Sequence, residues 1–294
     1  MTGNGLTRIA SPNLSADINP LGAQLFALRD RDGRDLLWNG NPKVWKGRAP
    51  ILFPIVGALV DNQYRLEGKA FALPRHGFAR DRLFSLVEST PASAVFRLSW
   101  DSETFKVYPF HFQLDLRFAV TDATLHVVAA VRNLENEKTL PASFGFHPAL
   151  RWPLPYGEPR SDHVIRFEKD EPAPIRRLIS EGLILPGKFA TPVLKRELQL
   201  HDDLFRADAI IFDDIISRRL RYGADRGPQL ELAFPGMPQL GVWTKPGADF
   251  ICIEPWYGYA DLQDRPGDLR LKPGIALLPP GTTKEFTMSI SLLV

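Results

Sequence analysis

Apolar and polar residues alternate with a period of two along several stretches of this 294-residue chain. Phe110, Phe112, Leu114, Leu116 and Phe118 fall on one side of an extended backbone, with His111, Gln113, Asp115 and Arg117 on the other. Phe96, Leu98 and Trp100 repeat the pattern, as do Leu230, Leu232 and Phe234. Near the C-terminus Phe286, Met288, Ile290 and Leu292 stand against Thr287, Ser289 and Ser291. Successive side chains of a strand point to opposite faces, so each stretch predicts a strand with one face buried. The 26 prolines and 22 glycines are spread along the whole length, which keeps segments short and works against long helices. Helical signal is confined to a short turn between Ile211 and Arg219. The expectation is an all-β fold, a large antiparallel β-sandwich with its sheets packed face to face.

Composition narrows this only a little. A hydrophobic fraction of 44% and a charged fraction of 24% are those of an ordinary globular protein. All-β sandwiches run to ~200–250 residues as one domain. No repeat, low-complexity segment or linker divides the chain, so residues 1–294 are expected to form a single domain. A net charge of +2 gives no reason to expect nucleic acid or an anionic membrane as partner. The longest apolar run, Ala49 to Val60, is broken by Pro50, Pro54 and Gly57 and falls short of the ~20 residues that span a bilayer. The first eight residues lack the apolar core of a signal peptide, which makes a cytoplasmic location the default expectation. Cys252 is the only cysteine; set between Ile251 and Ile253, it reads as a small buried hydrophobe.

Two stretches stand out chemically. Ser143-Phe144-Gly145-Phe146-His147-Pro148 is an apolar aromatic run that ends on a histidine. Phe250-Ile251-Cys252-Ile253-Glu254-Pro255-Trp256-Tyr257 repeats the arrangement with a carboxylate. The residue before a proline is pushed toward extended geometry, so both ionisable side chains should sit on strands with a fixed direction. An imidazole and a carboxylate presented this way, with aromatics beside both, point to an acid/base pair in a cleft suited to sugars. The irregular stretches Trp152–Arg160 and Asp261–Pro273 follow the two runs directly and are expected to be loops around the site.

Other candidates are weaker singly. Arg48 precedes the apolar run Ala49–Gly57, and His76 lies between Arg75 and Arg80 in a turn-like His-Gly step. Asp208 immediately precedes the apolar run Ala209–Phe212, which would set it at a strand mouth; Asp202 and Asp203 read equally well as an acidic surface loop. His111 and His126 read as sheet-face residues, and His163 and His201 as exposed. No zinc signature, P-loop or nucleophile elbow is present, no two histidines are spaced as ligands on one element, and there is no thiolate pair.

Taken in order, Arg48-Ala49-Pro50 with Phe53-Pro54, Pro74-Arg75-His76-Gly77-Phe78-Ala79-Arg80, Phe144-Gly145-Phe146-His147-Pro148 and Ile253-Glu254-Pro255-Trp256-Tyr257-Gly258 resemble the aldose 1-epimerase (galactose mutarotase) family. The stretch from Lys272-Pro273-Gly274 to the last strand resembles it too. The resemblance implies a galactose mutarotase-like supersandwich with an open sugar cleft and no metal or organic cofactor. It implies that His147 is the acid and Glu254 the base. It further implies that His76 and Arg48 hold sugar hydroxyls, and that Asp208, with Asp203 as the rival placement, binds substrate. The chain departs from the best-characterised members, which carry an Asn-Arg step where Ala49-Pro50 follows Arg48 here; the Glu-Pro-Trp-Tyr form suggests a divergent bacterial branch.

Mutarotation fits these residue types. It takes a proton from the C1 hydroxyl and gives one to the ring oxygen, each transfer contributing ~10²–10⁴-fold in rate. Trp256, Tyr257 and Trp152 offer flat apolar surfaces for a pyranose. The expected partner is a small-molecule sugar or, because Arg48, Arg75 and Arg80 could pair a phosphate, a sugar phosphate such as a hexose 6-phosphate. Competing readings are a glycoside hydrolase built on Glu254 and Asp208, which leaves His147 without a task, and a catalytically silent carbohydrate-binding module. Monomer and homodimer are both compatible with the sequence.

Overall fold

The computed structural model describes residues 5–263 and 267–294. Its largest sheet has nine antiparallel strands, in the order Glu197–Gln199, Val164–Phe167, Arg219–Gly223, Gln229–Ala233, Thr283–Leu293, Thr124–Asn133, Phe112–Thr121, Ser93–Ser99 and Ser85–Ser89. The alternating stretches account for its centre. Phe112, Leu114, Leu116, Leu230, Leu232, Phe286 and Ile290 are buried, and Thr287, Ser289 and Ser291 point the other way. Asp115 breaks the alternation because it is buried on the outward face, where the Arg97 guanidinium on the neighbouring strand grips both its oxygens at 2.7 Å.

A second sheet packs against this one. It runs Ile210–Phe212, Gln239–Trp243, Phe250–Tyr257, Phe144–Phe146 and Ile51–Leu52, with Ala149–Arg151 also paired to Phe250–Tyr257. Its strands are buried on both faces, as in a sheet covered on two sides. The inner face carries Phe144, Phe146, Leu240, Val242, Ile251 and Ile253 into the core shared with the long sheet. Phe144 stacks on Phe286 at 5.2 Å between ring centroids. A three-stranded sheet, Thr7–Ala10, Leu14–Asn19 and Gln24–Asp30, completes the main layers. The all-β expectation holds.

Three local expectations are corrected. No helix forms between Ile211 and Arg219: Ile210–Phe212 pairs with Gln239–Trp243, and a turn at Asp213–Asp214 follows. The α-helix among the described residues is Ser102–Val107, six residues closed by a capping box in which Asp101 and Thr104 bond each other's backbone N–H. Trp100 leaves the core face one residue past its strand and lies 40% exposed, its ring against Phe105 and His111.

Among the described residues no helix is long and apolar enough to cross a membrane.

Candidate active site

The outer face of the second sheet carries the chemistry. In Phe250–Tyr257 the inward positions are Ile251 and Ile253, and the alternate set Phe250, Cys252, Glu254 and Trp256 faces outward. The neighbouring chain pairs in one register throughout, Gly145 with Trp256 and Ala149 with Cys252, which sets His147 directly opposite Glu254. The Ile253 N–H donates to the Pro148 carbonyl at 3.3 Å between the two pairs. As a result His147 Nε2 lies 3.2 Å from Glu254 Oε2. Oε2 has no hydrogen-bond partner among the described residues, so the ring and carboxyl face each other without being aligned for a bond. The two side chains are nearly covered, at 8% and 2% exposure.

Backbone geometry delivers His76. It adopts a left-handed conformation (φ 70°), and Gly57 donates its N–H to His76 Nδ1 at 3.1 Å while accepting the His76 N–H at 2.8 Å. Nδ1 is therefore the acceptor, which puts the ring proton on Nε2. Gly57 has φ 77°, and a Cβ there would meet the Ala260 backbone at 2.6 Å, so only glycine fits. The His76 and His147 rings meet edge to face at 5.9 Å.

These groups open into a cavity of about 330 Å³, at the small end of the ~300–1,000 Å³ usual for ligand sites. Its walls include Trp45, Arg75, Arg80, Asp208, Trp243 and Trp256. Trp45 stacks on His147 at 5.2 Å. Trp256 lies flat over two glycines: a Cβ at Gly145 or Gly241 would come within 2.8 or 2.5 Å of its ring. Arg75 has no carboxylate within salt-bridge distance among the described residues, and its Nε is buried without a partner. Arg80 donates to the Arg75 carbonyl at 2.9 Å and so fixes the backbone that carries it. Asp208, left-handed at φ 61°, accepts the Ala209 N–H on its own Oδ1 at 2.7 Å.

Burial controls the charges. It pushes the Glu254 carboxyl well above the usual carboxylate range; Arg75 pulls it back, Asp208 adds to the rise, and the nearby Trp256 indole favours the anion without being aligned for a bond. Burial also lowers His147 to about 3, with a smaller contribution from Arg75 and Arg80. His76 falls well below its usual value for the same first reason, reinforced by Arg75 and His147. Burial thus works against a charge on either member of the facing pair and favours a neutral carboxyl beside a neutral imidazole.

The structure brings together His76, His147, Asp208, Glu254 and Trp256. Arg48 it does not: this guanidinium stacks on Phe26 at 3.8 Å and donates to the Phe26 carbonyl at 2.8 Å, against the N-terminal sheet. Asp203 is exposed and paired with Arg206, which leaves Asp208 as the aspartate at the cavity. Trp152 and Tyr257 are turned away. Trp152 donates its indole N–H to the Arg160 carbonyl beneath that arginine's stacked guanidinium, and Tyr257 packs on Phe286. The Trp152–Arg160 loop is thus a packed turn and not part of the cavity wall. Within Asp261–Pro273, residues 264–266 lie outside the described residues; the remainder is held by a buried Lys272–Asp261 pair at 2.5 Å. His163 corrects another expectation: it is 1% exposed, accepting the Leu154 N–H at Nε2 and bonded to the Pro159 carbonyl through Nδ1. Trp45, Trp243, Leu178 and Gly182 were not foreseen as wall residues. For the tryptophans only their aromatic character gave a signal; for the Leu178–Gly182 loop there was none.

Comparison with known proteins places the chain in a family. The family model described as aldose 1-epimerase matches residues 6–214, which takes in His76, His147 and Asp208. The chromosomal protein LacX of Lactococcus lactis subsp. lactis is 32% identical over 289 residues, covering 95% of this chain and 97% of that protein. A galactose mutarotase related enzyme from Lactobacillus acidophilus superposes with a TM-score of 0.89 at 27% identity, over 98% of this chain and 97% of the other. A galactose mutarotase-like protein from Lactobacillus casei gives the same TM-score and identity over 98% and 100%. The fold, the whole-length likeness to LacX and the matched family segment lead to one assignment: this chain belongs to the aldose 1-epimerase family.

Proposed function

We propose that the protein is a mutarotase that interconverts the α and β anomers of a hexose by acid/base ring opening. The observation that carries this reading is the facing pair of His147 Nε2 and Glu254 Oε2, 3.2 Å apart in the wall of a sugar-sized cavity. Ring opening removes the proton from O1 and adds one to the ring oxygen as the C1–O5 bond breaks and the C1 carbonyl forms. Rotation about C1–C2 and the reverse transfers close the other anomer. The net proton change is zero, so one mobile proton on the pair suffices.

Before a sugar binds, burial favours that proton on Glu254. A bound sugar donating hydroxyl hydrogens to the carboxyl, together with the positive Arg75, favours the carboxylate and moves the proton to His147. This would give the division of labour that the family resemblance implies, His147 as acid toward the ring oxygen and Glu254 as base toward O1. His76 offers Nε2–H, and Asp208 an acceptor, to the remaining hydroxyls; Trp45, Trp243 and Trp256 give flat apolar walls. The chemistry calls for proton transfer alone, without a cofactor.

A second reading concerns the substrate. Arg75 and Arg80 both line the cavity, and Arg75 has no carboxylate partner among the described residues, which favours an anionic substituent such as a phosphate. Polarimetry or NMR of freshly dissolved α-glucose, α-galactose and glucose 6-phosphate tests both readings. The expected result is catalysed anomerisation of at least one of them; a rate equal to the spontaneous one for all three would favour a silent sugar-binding role.

A further inference from the structure

Cys252 plays no part in the proton transfers, yet its sulfur, a ring nitrogen of His147 and a carboxylate oxygen of Glu254 lie within 4.8 Å of one another. The cause is the register already described: residues 252 and 254 share one face of their strand, and His147 stands opposite 254. All three side chains are buried, Cys252 completely. Glu254 Oε2 has no hydrogen-bond partner among the described residues, so this oxygen of the trio is free to take a ligand.

The spacing of the His147–Glu254 pair suits a small tetrahedral cation, and the Cys252 sulfur lies within 4.8 Å of both. Metal–nitrogen and metal–oxygen bonds of about 2.0–2.2 Å place two ligand atoms ~3.3–3.5 Å apart. His147 Nε2 and Glu254 Oε2 stand 3.2 Å apart. One sulfur, one nitrogen and one oxygen form the donor set of a borderline-soft divalent ion, and His147 and Glu254 open it to the cavity while Cys252 stands behind them. Calcium and magnesium, which take oxygen ligands, do not match it.

We propose that His147, Cys252 and Glu254 form a binding site for a zinc-class divalent cation, which on binding occupies the acid/base pair and blocks the sugar reaction. The ion is an inhibitor and not a cofactor. Coordination displaces the Cys252 thiol proton and the proton on the Glu254 carboxyl, and both leave to solvent.

The blocking effect rests on the mutarotase reading; the binding does not, so two measurements separate them. Cobalt(II) added to the full chain should give a thiolate-to-cobalt charge-transfer band that is absent in Cys252→Ala and in Cys252→Ser. Zinc should inhibit mutarotation competitively with sugar, and both variants, folded by thermal melting and active without metal, should need at least about tenfold more zinc. No cobalt band in the unaltered chain would overturn the site. Equal zinc inhibition in wild type and variants, or a cobalt band without any zinc inhibition of an active enzyme, would overturn the proposed block. Should the chain turn over no aldose, the cobalt band alone decides whether the site exists.

Discussion

Gly57 and His76 hold each other by two hydrogen bonds, Gly57 N–H to His76 Nδ1 at 3.1 Å and His76 N–H to the Gly57 carbonyl at 2.8 Å. This reciprocal clip fixes the histidine's tautomer and turns Nε2–H toward the cavity. His76→Ala leaves the buried Gly57 N–H without an acceptor, at a cost of about 1–3 kcal/mol of stability. It also removes a sugar contact, so kcat/KM should fall by about 10–100-fold, or ~1.4–2.7 kcal/mol. Thermal melting and polarimetry measure the two effects separately. An unchanged kcat/KM would remove His76 from the site.

Arg75 and Arg48 should behave oppositely. Arg75→Ala is expected to lower kcat/KM by about tenfold or more, because its guanidinium lines the cavity with no carboxylate partner among the described residues. For a phosphorylated substrate KM should rise more than for the free sugar. Arg48→Ala should leave kinetics alone and cost about 1–2 kcal/mol of stability through its lost stacking and its bond to the Phe26 carbonyl. The reverse outcome would restore Arg48 as the sugar-binding arginine.

The difference between these two arginines shows what the sequence carries and where it stops. Period-two alternation made the strands around Phe112, Leu232 and Phe286 legible, since a half-buried strand must alternate. His147 and Glu254 were legible as directed side chains, each on an extended segment before a proline. That they face each other depends on the antiparallel register of segments a hundred residues apart, which no local pattern encodes. Arg48 and Arg75 look alike in sequence, each heading a turn or an apolar run; only tertiary packing sends one onto Phe26 and the other into the cavity. The helix Ser102–Val107 escaped for another reason: six residues are less than two turns, too few to show a 3.6 period.

His163 links stability to pH. Burial lowers its pKa below the unfolded value, so the unfolded chain takes up the proton first as pH falls through ~6.5. Stability present above that point is lost below it. His76 and His147 contribute with the same sign; Glu254, raised by burial, contributes with the opposite sign above its unfolded value. His163→Phe should therefore lose less melting temperature than wild type between about pH 7.5 and pH 5.5. An equal or larger loss in the variant would show that His163 does not carry this dependence.

The same charges shape the activity profile. His147 gains a second proton only near pH 3, and Glu254 gives up its own well above the ordinary carboxylate range. The pair keeps one proton between those limits. The kcat/KM profile should show no acid limb at the ~6.5 of a free imidazole and should decline on the alkaline side. An acid limb centred near that value would mean the imidazole titrates freely and the neutral-pair description is wrong.

The most direct measurement is the mutarotation rate of Glu254→Gln. Glutamine has the shape of the protonated acid already favoured at this buried position, so the variant should fold with a melting temperature close to wild type. Its kcat should fall by ~10²–10⁴-fold, a barrier increase of about 3–5 kcal/mol. Adding His147→Asn should lower the rate much less than multiplicatively, since the two groups act in one proton relay. A folded Glu254→Gln protein that turns over sugar at nearly the wild-type rate would contradict the acid/base pair on which the function rests.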